Sequence, residues 1–150
     1  MGSDSTSHDQ TRPYQVMRRI FEEGFAAGDA SVVDELCSPD MVEHQFGLTG
    51  TGEQARENVR TAIRDVHAAF PDMSCTIEDY VEQGEMIWTR VRARGTATGA
   101  FFGPPSNNPI DITVFDMTRV AGGQIIEHWG VPDRFALLAQ TGQLDRLTAR

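Results

Sequence analysis

The sequence predicts an α+β domain in which helices cover one face of a curled antiparallel sheet. Apolar residues recur every three or four positions up to residue 70 and at alternate positions from 73 to 131, which indicates helices first and strands afterwards. A last short helical pattern follows the strands. Helices and sheet would therefore form separate layers around one core, and a bent sheet would leave a cone-shaped interior between them.

The first two helices have recognisable ends. Thr11 is the predicted cap of a helix with Pro13 in its first turn, and Gly28 ends it. Asp29 is the predicted cap of a shorter helix that ends at Leu36.

An extended segment and a third helix come next. Ser38 and Pro39 end the second helix before an extended segment over 41–46. Gly52 precedes the third helix, which has one apolar stripe and ends at Pro71.

The second half predicts four strands and a closing helix. The strands are expected over 73–83, 85–98, 110–120 and 124–131. Residues 99–109 contain three prolines, two asparagines and two glycines, which indicates a rim or lid loop. The closing helix runs from about Asp133 to Gly142.

Composition limits the function classes. The 150 residues include 13 basic and 22 acidic side chains, and the net charge of −9 disfavours nucleic acid and anionic membranes as partners. We expect a mobile polar tail over 1–11, one domain over 12–150, two reduced cysteines and a cytoplasmic location. The expected partner is a small organic molecule.

The hairpin at Ala121-Gly122-Gly123 permits two strand registers. A three-residue loop places Asp116 opposite His128, whereas a two-residue loop places it opposite Trp129. We favour the first, because a glycine suits the third position of such a loop. A carboxylate and an imidazole would then meet on an apolar wall formed by Ile110, Ile112, Val114 and Ile126, as a catalytic pair or as a buried pair that fixes the register.

Other candidate residues could face the pocket. Asp133, at the start of the last helix, is either a helix cap or a carboxylate that reaches a ligand. His44 and Gln45 lie on the early extended segment, with strand faces that the sequence leaves open. Aromatic candidates for the walls of a ring-shaped site are Phe46, Trp88, Phe115 and Trp129. Arg90, Arg92 and Arg94 are expected on a solvated sheet face with acidic partners.

Common catalytic signatures are missing from the sequence. It has no glycine-rich phosphate loop, G-x-S-x-G elbow or H-E-x-x-H motif, and its four histidines lack the spacing of a transition-metal site. We therefore expect acid–base chemistry on a buried organic substrate, without metal or cofactor.

One stretch of sequence carries a family resemblance. The segment 122–133, GGQIIEHWGVPD, followed by LLAQTG at 137–142, resembles the C-terminal signature of the SnoaL-like polyketide cyclase family. Upstream pieces in the family's order are GDASVVDEL at 28–36, SPDMVEH at 38–44, AFPD at 69–72 and GTATG at 95–99. The resemblance implies a cone-shaped α+β barrel of the nuclear transport factor two and ketosteroid isomerase type, with homo-oligomers formed through the sheet.

The resemblance also implies an activity. Family members close aromatic polyketide rings by an intramolecular aldol reaction, without metal, using an aspartate as acid and base. Position by position, His128, Asp133 and His44 match family residues, whereas Gly130 replaces an aspartate that many relatives have directly after the tryptophan. Asp133 and Asp116 remain to carry acid–base chemistry.

We therefore predict a polyketide cyclase in which Asp133 is the general acid and base, and His128 and Asp116 orient or polarise the substrate carbonyl. Two alternatives remain open: a divergent relative that acts in hydroxylation of an aromatic polyketide, and a non-catalytic module that binds a hydrophobic metabolite.

Overall fold

The structure, a computed structural model, describes residues 9–145. The first eight positions of the predicted tail lie outside these residues. The helices are α1 (Pro13–Arg19), which continues as a π-helical segment (Ile20–Ala26), α2 (Val32–Leu36), α3 (Gly52–Ala69) and α4 (Arg134–Gln140). The strands are β1 (Cys37–Glu43), β2 (Gly50–Thr51), β3 (Ser74–Gln83), β4 (Met86–Thr96), β5 (Pro109–Ala121) and β6 (Gln124–Pro132).

The predicted α+β fold is confirmed. The strands form one curled, unclosed sheet in the order β2-β1-β6-β5-β4-β3. Neighbouring strands are antiparallel except β1 and β6, which pair in parallel. Parallel neighbours need a long crossover, and here α3 with the β3–β5 meander supplies it. The parallel pair joins the early part of the chain to the last strand.

The start of α1 differs from the prediction. Its N-cap position is Arg12 rather than Thr11, and no side chain caps it. The cause is Pro13, because the residue before a proline is held in an extended conformation, and Arg12 has φ −62° and ψ 143°. Gly28, with φ +81°, follows the end of the π-helical segment as expected.

The boundaries of α2 and β1 also shift. Ser31 takes the N-cap position, while the Asp29 carboxylate accepts hydrogen bonds from the Ser31 amide and hydroxyl. Ser38 and Pro39 belong to β1, which begins directly after α2. A break in pairing between Cys37 and Val42 accommodates the proline, which cannot donate a ladder hydrogen bond.

Helix α3 closes the concave side of the sheet. Its buried face includes Val59 and Ile63, which pack in one cluster with Met17 and Ile20 from the first helix and with Val91 from β4. Full burial of such a side chain contributes about 1.5–3 kcal/mol. The predicted stripe of α3 is thus the face that covers the sheet.

The turn between β5 and β6 corrects the favoured register. Ala121 pairs with Gln124, so the loop has only two residues, Gly122 and Gly123, with φ of +57° and +75°. Two consecutive positive φ angles are typical of a type I′ hairpin turn. The three-residue loop is therefore wrong.

A bulge then displaces β6 by one further position. Val120 pairs with Ile125 but Arg119 pairs with Glu127, which leaves Ile126 as the extra residue. Asp116 consequently lies opposite Gly130, and neither of the two predicted registers holds beyond the bulge.

Candidate functional site

A cavity of about 190 Å³ lies between the helices and the concave face of the sheet. Its walls are mostly aliphatic and aromatic side chains from the first helix, α3 and strands β3–β5. The acidic, basic and amide side chains among its lining residues are Glu43, Gln45, Asp116, His128 and Arg134. Such an apolar enclosure with a few convergent polar groups is the usual form of a small-molecule site.

The β6 bulge determines which side chains reach this cavity. Strand faces alternate, but the extra residue at Ile126 lets both Ile125 and His128 line it. Ile125, rather than the predicted Ile126, is therefore part of the apolar wall. The predicted wall residues Ile110, Ile112 and Val114 do line the cavity.

His128 is held between two carboxylates. Its Nε2 lies 2.7 Å from Asp116 Oδ1, and its Nδ1 lies 2.9 Å from each carboxylate oxygen of Glu43. Glu43 and Asp116 are both buried, and the side chain of His128 is 14% exposed. These contacts define the Glu43–His128–Asp116 cluster.

The cluster requires a charged imidazole. Burial alone would lower the pKa of His128, but the hydrogen bonds and charges of Asp116 and Glu43 outweigh burial and raise the pKa to about 10. A neutral imidazole has one N–H, whereas His128 faces a carboxylate at each nitrogen. At pH 7 the ring therefore donates two hydrogen bonds, and the cluster keeps one negative charge in excess.

One carboxylate oxygen of Asp116 has no hydrogen-bond partner among the described residues. Oδ1 accepts the hydrogen bond from His128, but Oδ2 is buried and has no hydrogen-bond partner within residues 9–145. In the strand register, Thr89 lies opposite Asp116 and Thr118 lies opposite His128. The hydroxyl groups of both threonines are also buried and have no hydrogen-bond partner among the described residues. Unsatisfied buried polar atoms are uncommon in folded proteins, and a catalytic role is one of the physical reasons for them. Of these three residues, Asp116 lines the cavity.

Glu43 was missing from the sequence-based candidates. It is the last residue of β1 and pairs with His128 through the parallel β1–β6 contact. The sequence offers one signal for its position. Residues 41 and 43 of a strand face the same side, and the apolar Met41 indicates that this side is buried. The parallel partner strand itself, 85 positions away, has no local signature.

Gln45 reaches the cluster because residue 130 is a glycine. A Cβ on Gly130 would lie 2.1 Å from Gln45 Oε1, 2.8 Å from Asp116 Oδ1 and 2.8 Å from His128 Cε1. Real Cβ contacts are longer than this, so any side chain at position 130 would have to displace the Gln45 amide. Gln45 lines the cavity, on a strand face that the sequence left open, and its amide occupies the space that an aspartate at position 130 would need.

The other predicted binding residues lie outside the cavity. His44 stacks on Trp129 at 4.4 Å and contacts Glu127 at 2.9 Å. Trp88 and Phe115 face outward, because their neighbours on the strands take the inner positions. None of these four side chains is among those that line the inner cavity. Their assignment to substrate binding stays a prediction.

Phe46 also lies outside, and it is 82% exposed. Trp88, Phe115 and Trp129 instead border a shallow groove of about 340 Å³ on the other face of the sheet, whose lining also includes Tyr80 and Val131.

Asp133 caps the last helix. Its carboxylate accepts a hydrogen bond of 2.9 Å from the Ala136 amide, and it is not among the residues that line the cavity. Of the two roles that the sequence leaves open for Asp133, the structure shows the helix cap. A catalytic role for Asp133 stays a prediction.

The remaining site expectations concern charge, thiols and metals. The arginine row on β4 is exposed and pairs with Glu78 and Asp111, as predicted. Cys37 and Cys75 are free, and burial raises the pKa of both thiols to about 12. Within residues 9–145 no group of three His, Cys, Asp or Glu side chains is arranged to hold a metal ion. None of the described helices is long and apolar enough to span a membrane.

Comparison with known proteins decides the family. The SnoaL-like polyketide cyclase family matches residues 15–141. The chain belongs to this family. A similar solved structure is IdmH from Streptomyces antibioticus, a proposed polyketide cyclase, with 36% identity over 87% of this chain and 98% of that chain and a TM-score of 0.73.

Two further structures share the fold at lower identity. TsrD from Streptomyces laurentii is 24% identical over 93% of this chain and 98% of that chain, with a TM-score of 0.76. AclR from Streptomyces galilaeus, a proposed hydroxylase, is 20% identical over 85% of this chain and 82% of that chain, with a TM-score of 0.68. Among curated proteins, none matches the chain at a significant level.

Proposed function

We propose that this SnoaL-like protein closes a ring of an aromatic polyketide intermediate by an intramolecular aldol reaction, with Asp116 as general base and acid. The observation that carries the proposal is that Asp116 lines an apolar cavity and has a buried Oδ2 that no described residue hydrogen-bonds. A base needs a lone pair that no donor occupies, and an apolar enclosure strengthens the interaction of that lone pair with a bound proton donor.

The reaction uses groups already present in the cavity. Asp116 Oδ2 takes a proton from a carbon next to a ketone, and the enolate carbon attacks a second carbonyl of the same chain. The C–C bond forms as that carbonyl becomes an alkoxide, which takes the proton back from Asp116. Atoms and electrons balance without an oxidant, a metal or a cofactor.

The other cavity residues support this chemistry. His128 donates to Asp116 Oδ1, so it orients the carboxylate, and its positive charge stabilises the enolate that forms beside the cluster. Glu43 fixes the ring from the other side, as the third group does in catalytic triads. In this proposal Gln45, which lines the cavity, hydrogen-bonds the substrate carbonyl, and the apolar walls hold the chain folded for closure.

A hydroxylation reaction on a similar substrate is the second candidate, favoured by the fold shared with AclR. Product mass separates the two. We would incubate the protein with a linear aryl triketone. A cyclase gives a product of equal mass, or lighter by one water, whereas a hydroxylase consumes oxygen and adds an oxygen atom. Oxygen incorporation would refute the aldol proposal, and an unchanged substrate would favour a binding module.

We also propose that the protein associates with a second copy of itself through the outer face of the sheet. This face exposes four apolar side chains that border one groove, Val81, Trp88, Phe115 and Val131. Apolar side chains grouped in this way are typical of an interaction surface, whereas single exposed ones are not. The Arg90–Glu78 and Arg92–Asp111 ion pairs lie on the same face. Because this face carries both charge signs, the arginines of one copy can pair with the carboxylates of the other across a two-fold interface.

A further inference from the structure

Arginine supplies all the strongly basic side chains of this chain, which contains no lysine. Almost every arginine in the described residues has a carboxylate within 4.0 Å. These paired arginines are Arg12, Arg18, Arg19, Arg56, Arg60, Arg64, Arg90, Arg92, Arg94 and Arg119. Within residues 9–145 the exception is Arg134, although the chain has a net charge of −9.

Among the described residues, Arg134 is also the one arginine that lines the cavity. It is half-buried at the start of α4. One of its terminal nitrogens donates to the carbonyl oxygen of Phe46 at 2.8 Å, and its guanidinium carbon lies 5.6 Å from the centre of the Phe46 ring. These two contacts hold the guanidinium in place but use few of its N–H donors.

The charges of the cavity are therefore separated. The Glu43–His128–Asp116 cluster carries one excess negative charge, whereas Arg134 carries a positive charge with no carboxylate to neutralise it in the described part of the chain. An anionic ligand group is repelled by the cluster and attracted by Arg134. The planar guanidinium matches a carboxylate in particular, because two parallel N–H donors face its two oxygens.

We infer that the ligand of this cavity is an apolar carboxylic acid, whose carboxylate pairs with Arg134 while its body extends towards Asp116. The inference rests on the proposed function for what happens at Asp116. The anion site itself needs no turnover, so binding measurements test it separately. In substrate terms, the polyketide would be recognised as its free acid rather than as an ester.

The test compares two probes of nearly equal shape, 2-naphthoate and its uncharged amide, 2-naphthamide. Calorimetric titration of the unmodified protein should show 2-naphthoate binding more tightly. Arg134→Gln should weaken 2-naphthoate binding about tenfold and leave 2-naphthamide binding unchanged, because a charge-assisted hydrogen bond is lost. Arg134→Lys keeps the charge and should recover part of the affinity. Arg119→Gln, on an arginine that pairs with Glu127 outside the cavity, is the matched control and should change neither probe.

Several outcomes would overturn the inference. Equal affinity of the unmodified protein for both probes, or no measurable binding of 2-naphthoate, removes the anion site. An equal loss of both probes in Arg134→Gln would mean that the side chain only shapes the cavity. Loss of turnover in Asp116→Asn with 2-naphthoate binding retained or tightened would support both proposals, whereas retained turnover in that variant would refute only the proposed reaction.

Discussion

His128 Nε2 lies 2.7 Å from Asp116 Oδ1, although the residue opposite His128 in the β5–β6 ladder is Thr118. The contact is diagonal across the two strands, which is within reach of long side chains. The other ring nitrogen faces Glu43 from β1. Three strands thus position one charged cluster, and its properties can be measured.

The first prediction concerns the charge of His128. Its pKa of about 10 implies that the ring stays protonated at neutral pH. In NMR spectra of ¹⁵N-labelled protein, both ring nitrogens of His128 should carry protons at pH 7.5. Glu43→Gln should lower the pKa of His128, because one of the two carboxylates is lost. Titration of His128 near pH 6.5 in the unmodified protein would contradict the charged cluster.

The same pKa shift makes stability depend on pH. Because the folded pKa of about 10 lies above the reference value of 6.5, the stabilisation from His128 is complete below pH 6.5 and is lost as pH rises through 10. Denaturant unfolding of the unmodified protein and of His128→Gln should show a stability difference that shrinks over this range. A difference that grows with pH would contradict this sign.

Asp133 can be tested as cap and as catalyst with two substitutions. Asp133→Ser keeps a capping oxygen for the Ala136 amide but removes the carboxylate, so stability and turnover should both persist. Asp133→Ala should cost about 1 kcal/mol of unfolding free energy with little effect on turnover. Loss of turnover in a stable Asp133→Ser protein would instead establish Asp133 as a catalytic residue.

Gly130 should be intolerant of a side chain for functional rather than structural reasons. In Gly130→Ala the new Cβ displaces the Gln45 amide, the end of a flexible side chain, so the loss of stability should stay below about 2 kcal/mol. Turnover should fall at least tenfold because Gln45 and Asp116 are both crowded. In Gly99→Ala the new Cβ would meet the Ala68 backbone oxygen at 2.2 Å. This variant should lose more stability than Gly130→Ala, and the turnover of its folded fraction should fall less. Unchanged turnover in folded Gly130→Ala would contradict the role given to Gln45.

If two copies of the protein associate through the outer face of the sheet, one negative charge introduced on that face should separate them. Val131 is 69% exposed beside Phe115 on this face, so Val131→Glu should convert a dimer into a monomer without unfolding it. Sedimentation equilibrium measures the mass directly. Phe135→Glu changes an equally exposed apolar residue outside the groove and should leave the mass unchanged. A monomeric unmodified protein would contradict the proposed association.

Local patterns in the sequence were sufficient for the helices and most of the sheet. The bounds of α3 follow from Gly52 and Pro71, and the period-two segments correspond to β3–β6. The sequence also predicts a contact between Asp116 and His128, but it derives this contact from a strand register that the structure does not have. The bulge at Ile126 has no sequence signature, and it alone reverses which residues of β6 face inward.

Long-range features of the site were beyond the sequence. The approach of Glu43 to His128 depends on a parallel pairing between the first and last strands, and no local pattern specifies that partner. The aromatic residues were assigned to the pocket by chemistry, whereas strand parity places Trp88 and Phe115 on the outer face. Arg134 was not singled out, because its isolation from carboxylates is visible only when all the ion pairs are known.

The central claim is that Asp116 is the base of this cavity. It can be tested without the natural substrate by measuring hydrogen–deuterium exchange at the α-carbons of 2-tetralone in D₂O by NMR. The unmodified protein should accelerate exchange, and Asp116→Asn should reduce the acceleration by at least about 100-fold, the usual contribution of a general base. Asp111→Asn, on the outer face of the same strand, should exchange like the unmodified protein. Exchange by Asp116→Asn at the rate of the unmodified protein would contradict the account.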